Sequence, residues 1–81
     1  EQANKLTWSR SGNNLQVTNP TPYVINFNEI SVGGKKLEDV SWVAPGAVAA
    51  FRLPPGVNGN QIVFKVINDY GSPGIIHQAS F

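Results

Sequence analysis

The chain has 81 residues, 41% hydrophobic and 14% charged, with six Lys and Arg against five Asp and Glu, a net charge of +1 and no cysteine. It is long enough for one small domain with one core and too apolar to be disordered by composition, while the scattered Lys5, Arg10, Lys35, Lys36, Arg52 and Lys65 offer no concentrated positive face for nucleic acid. The uncharged run Val40 to Phe51, broken at Pro45-Gly46, falls well short of the roughly 20 residues an apolar helix needs to cross a bilayer, and a cysteine-free chain has neither disulfides nor thiolate metal sites in any compartment.

In chain order, Glu1 to Lys5 is polar and reads as the remnant of a linker, with no signal peptide in it. A first strand is expected over Leu6 to Arg10, a turn at Gly12-Asn13-Asn14, and a second strand over Asn14 to Thr18, where Leu15 and Val17 alternate with polar neighbours. Asn19-Pro20-Thr21-Pro22 breaks the chain before a third strand, Tyr23 to Val32. Its apolar positions run 23, 25, 27 and then 30, 32, a change of phase that calls for a bulge near Asn28 and Glu29. Gly33-Gly34 reads as a tight hairpin turn into a short strand, Lys35 to Leu37. Beyond Pro45-Gly46 a strand is expected over Val48 to Leu53. After Pro54-Pro55-Gly56 and Asn58-Gly59 comes Gln61 to Asn68, with Ile62, Phe64 and Val66 on one face and Val63, Lys65 and Ile67 on the other. Gly71-Ser72-Pro73-Gly74 then precedes a last strand over Ile75 to Ser80. Seven short strands separated by frequent turns predict an all-β, seven-stranded immunoglobulin-like β-sandwich filling residues 1 to 81 as one domain.

No catalytic, metal or cofactor site is readable in the chain. His77 is the single histidine, and a zinc site without cysteine would want a second imidazole, so His77 is expected as a surface strand residue. A serine triad would need a nucleophile elbow, which is absent, and Ser72 sits in a turn. Glu38 and Asp39 are sequence neighbours that an extended chain would point to opposite faces; they read as a solvated loop. Gly33-Gly34-Lys35-Lys36 lacks the spacing and the following helix of a phosphate loop. Trp8 and Trp42 are the aromatic candidates for a ligand platform, and core packing is the plainer reading, more so for Trp8. Two features stand out: Asp69 follows directly on an apolar strand, and Ile67 puts an apolar side chain on the face opposite the core, as though something covers it.

The run Asn19-Pro-Thr-Pro-Tyr23, preceded by Lys5-Leu-Thr-Trp8 and Asn14-Leu-Gln-Val-Thr18 and followed by Ile67-Asn-Asp-Tyr-Gly71, resembles the C-terminal domain of the PapD-like periplasmic pilus-assembly chaperones over nearly the whole chain. The resemblance implies the second of two immunoglobulin-like domains set around a cleft. Its expected partners are the N-terminal domain of the same chaperone, pilus subunits and an outer-membrane usher, and its expected location is the periplasm. The strand lent to the subunit and the basic anchor for its terminal carboxylate belong to the first domain, so Lys5, Arg10, Lys35 and Lys36 inherit no anchoring role. The resemblance carries over Asp69 as a member of an interdomain ion-pair network, and an Asx-type turn is its plainer role. It also carries over Ile67 as cleft-facing, with Trp42 and Val40 nearby. Some relatives hold a disulfide in this domain, and this chain departs from them in having none. The competing reading is a free-standing immunoglobulin-like adhesive or structural module such as a pilus subunit domain. Against it, a subunit should open on an alternating apolar donor segment, whereas Glu1 to Lys5 is polar.

Overall fold

Two hairpin turns show how short-range chemistry sets the ladders. Gly12 has φ of +60° at the first position of a two-residue loop, so β1 (Thr7–Ser11) folds back onto β2 (Asn14–Thr18) with Ser11 opposite Asn14. Gly33 and Gly34 both have positive φ, 58° and 83°, the geometry of a two-residue turn whose twist matches its flanking strands. They join β3 (Ile25–Val32) to β4 (Lys35–Lys36), with Val32 opposite Lys35. The computed structural model describes residues 3 to 67 and 73 to 81.

The remaining strands are β5 (Trp42–Val43), β6 (Val48–Arg52), β7 (Gln61–Ile67) and β8 (Pro73–Ser80). They form one sheet in the order β1-β2-β6 and a second in the order β4-β3-β7-β8, with β5 pairing beside β3. The two sheets make the expected sandwich. Its strand count rises from seven to eight because β5, at two residues, is too short to show any periodicity. The third strand starts at Ile25 rather than Tyr23, because the loop through Pro20 and Pro22 keeps Tyr23 and Val24 out of the ladder.

Leu15, Val17 and Phe51 of the smaller sheet face Phe27, Ile30, Val32, Ile62, Phe64 and Val66 of the larger one. Aromatic contacts cross the gap: the Trp8 ring lies 4.9 Å from Phe64 and 5.8 Å from Phe27, and Phe27 meets Phe51 edge-on at 5.8 Å. Trp8 is therefore a core piece, as its sequence context suggests. The bulge falls where the change of phase demanded it. The β3–β7 register shifts between Phe27 and Glu29, which lets Ile25, Phe27, Ile30 and Val32 all point inward.

One placement differs in character from expectation. His77 is not a surface residue: β8 pairs it with Phe64, so the alternation that buries Phe64 turns His77 inward, half-buried and stacked on that ring at 5.2 Å. The segment read as a linker remnant docks from Ala3 onward. Ala3–Lys5 forms one 3-10 turn, and Ala3 joins the core.

Candidate functional site

The outer face of the five-stranded sheet follows from the same alternation that builds the core. On β7, Ile62, Phe64 and Val66 are buried, so Val63, Lys65 and Ile67 must project to the other side, and Ile67 is 38% exposed there. On β5, Val43 pairs with Ile25 and is buried, so Trp42, paired with Asn26, projects outward and is 49% exposed. Because Phe27 pairs with Val66, the next positions, Asn26 and Ile67, lie at one level of this face. Trp42, Asn26 and Ile67 thus form a row across β5, β3 and β7, with the two apolar ends about 10 Å apart at two strand spacings.

Of the residues singled out from sequence, Trp42 and Ile67 are brought to this common face. Val40 is half-buried and packs against the core two residues before Trp42. Asp69 and Ser72 lie outside the described residues. Further along the same face, Ile76 is 55% exposed and Val63 38%. Beside them Lys65 reaches across to Glu29, Nζ to Oε1 at 3.3 Å, and the two charges offset each other. Being about a third exposed, that pair contributes on the order of 0–1 kcal/mol.

A buried amide holds the end of β5 next to Trp42. Asn19 is 0% exposed, and its Nδ2 donates to the carbonyls of Tyr23 at 2.6 Å and of Val43 and Ala44 at 3.2 Å each. Its Oδ1 accepts from the Thr21 backbone N–H at 3.0 Å and from Thr21 Oγ1 at 2.6 Å. Its backbone is used as well, with Asn19 N–H donating to Ala47 O and Gly46 N–H donating to Asn19 O. One residue thereby ties the β2–β3 loop to the end of β5 and to the turn that follows it, and β5's own ladder has only two residue pairs. A buried polar group this fully satisfied rigidifies its surroundings.

In the sequence, Asn19 reads as a turn residue and as part of a motif, and its role as this hub is not evident. The half that could be found is local: an Asn accepting from the N–H two residues on is an Asx turn. The carbonyls of Val43 and Ala44 are distant in sequence and leave no such signal.

Elsewhere, Glu38, Asp39, Arg52, Leu53, Pro54 and Pro55 line a recess of about 110 Å³. That is well below the ~300 Å³ at which small-molecule pockets begin. Glu38 and Asp39 are exposed in the loop before β5, as expected. Among the described residues, no three potential metal-ligating side chains gather, and no helix is long and apolar enough to cross a membrane.

Residues 1–75 match the family model described as "Pili assembly chaperone PapD, C-terminal domain". The chaperone protein MyfB of Yersinia enterocolitica is 38% identical over 87 residues, covering 99% of this chain and 33% of the relative. The chaperone protein FocC of Escherichia coli is 38% identical over 73 residues, covering 89% of this chain and 32% of the relative. Among solved structures, the E. coli chaperone DraB superposes with a TM-score of 0.87 at 37% identity, over 98% of this chain and 38% of that one. A chain from the complex of the Salmonella enterica SafA pilin with the SafB chaperone superposes with a TM-score of 0.90 at 32% identity, over 98% of this chain and 37% of its own. The chain spans about a third of the length of these relatives. The expected resemblance is thus met by sequence and by fold, and the chain belongs to the family of PapD pili assembly chaperone C-terminal domains.

Proposed function

We propose that this chain is the second domain of a periplasmic chaperone that folds and caps pilus subunits and delivers them to an outer-membrane usher. In this reading residues 1 to 81 are a non-catalytic scaffold, with residues 1 to 5 leading in from the first domain. The scaffold orients that domain and supplies one wall of the subunit-binding cleft. The observation that carries the proposal is the family match over residues 1–75, in a domain whose larger sheet leaves Trp42 and Ile67 uncovered. The names of the relatives as chaperones, and the solved complex of SafB with a pilin, support the same reading.

Trp42 and Ile67 are then the cleft wall, with Val40 supporting it from the core side, and Asp69 is a member of the ion-pair network that sets the interdomain angle. Uncovered apolar side chains in a row suit a docking face better than a solvated one. The test is a proton–nitrogen NMR titration of this chain with the separately expressed first domain. Shifts centred on Asp69, Ile67 and the Trp42 indole are expected; a well-dispersed spectrum that does not respond would remove the interface assignment.

A further inference from the structure

The edges of the sandwich are not equally protected. β4 and β5 are two residues each, and β4 is Lys35-Lys36. β1 carries Arg10 within it, its Nε donating to Gly12 O at 3.1 Å. β6 ends in Arg52 and packs beside β5. Short length, cationic side chains and covering neighbours are the devices by which sheet edges avoid pairing with another chain. β8 uses none of them after its first residue, Pro73. It is eight residues long, holds no Asp, Glu, Lys or Arg, and stands last in its sheet, with β7 its partner among the described residues. In an antiparallel strand every second residue turns its N–H and C=O away from the existing partner, so β8 presents a row of groups whose natural complement is another extended strand.

We infer that β8 pairs antiparallel with β8 of a second copy of this chain, about a two-fold axis at Ile76, joining two five-stranded sheets into one. The strand is self-complementary in this register. Ile76, 55% exposed on the outer face, meets its own counterpart, and residues of like parity stay on a common face. No like charges oppose each other within the strand, which is uncharged, and Lys65, opposite Ile76, is paired with Glu29. A net charge of +1 adds little repulsion between copies. An isologous contact of this kind closes as a dimer and leaves the Asn19 corner untouched. The proposal is independent of the chaperone reading, which uses no edge of this domain.

Sedimentation equilibrium from micromolar to millimolar chain is expected to show a reversible monomer–dimer equilibrium, lost in Ile76→Lys while its circular dichroism stays that of the folded parent. The sequence has no cysteine, so Ile76→Cys places a single thiol on the axis. It is expected to cross-link roughly tenfold faster than Val48→Cys, an equally exposed control on β6, because pairing raises the effective thiol concentration. Equal cross-linking rates, or a dimer that survives Ile76→Lys, would move the contact to another surface and overturn the inference. A wild-type chain that is monomeric throughout would overturn it too, and would leave the β8 edge to a different chain.

Discussion

Val43 and Trp42 are adjacent in sequence and belong to opposite regimes of the same molecule. Val43 is buried with its carbonyl bound by the Asn19 amide; Trp42, one residue back, is half exposed with no core role. The corner around Asn19 spends a fully buried polar side chain on holding loops together, whereas the outer face leaves large apolar side chains in water. In a small domain whose stability margin is a few kcal/mol, both choices are expensive unless they do something. The contrast teaches that the polar corner is the support and the apolar row is the surface it supports. Damage to the first should appear as lost stability, and damage to the second as lost binding.

The sharpest way to break that contrast is Asn19→Ala. It removes a buried amide that donates to the carbonyls of Tyr23, Val43 and Ala44 and accepts from the N–H and hydroxyl of Thr21, and is expected to cost about 2–3 kcal/mol in urea unfolding. The NMR signal of the Trp42 indole should broaden or shift as β5 loosens. Gly33→Ala comes next. Gly33 has positive φ, and an added Cβ would run into the Asn58 carbonyl, so a loss of about 1–2 kcal/mol is expected, measured the same way. Lys65→Ala removes the ion pair with Glu29 on the outer face and should change stability by less than about 1 kcal/mol, with the effect shrinking further in high salt.

How far these regions could be read in advance follows the range of the interactions that build them. The bulge after Phe27, the inward set Ile62, Phe64 and Val66, and the outward position of Ile67 all follow from period-two alternation, which is local. The hairpin at Gly33-Gly34 is equally local, since two glycines in a row announce positive φ. β5 was not legible, because two residues carry no period and its pairing with Asn26 depends on a distant strand. The inward turn of His77 was missed for a related reason: its phase is set by the register against Phe64, and the turn before it gives no count from which to derive it. The Asn19 hub lies between these cases, with its Asx turn local and its reach to Val43 and Ala44 not. Trp42 is set near Ile67 only by the family resemblance, since the residues by themselves cannot bring the two together without the β5–β3–β7 order.

The central claim, that the outer row is a binding wall and not a part of the fold, is tested most directly by one paired measurement on Trp42→Ala and Ile67→Ser. Each substitution would be made in this chain for urea unfolding and, on the proposed function, in a two-domain chaperone carrying this domain for recovery of a pilus subunit. The account predicts isolated domains within about 1 kcal/mol of the parent and a two-domain protein that retains little subunit. Domains weakened by several kcal/mol, or subunit recovery equal to that of the parent, would contradict it.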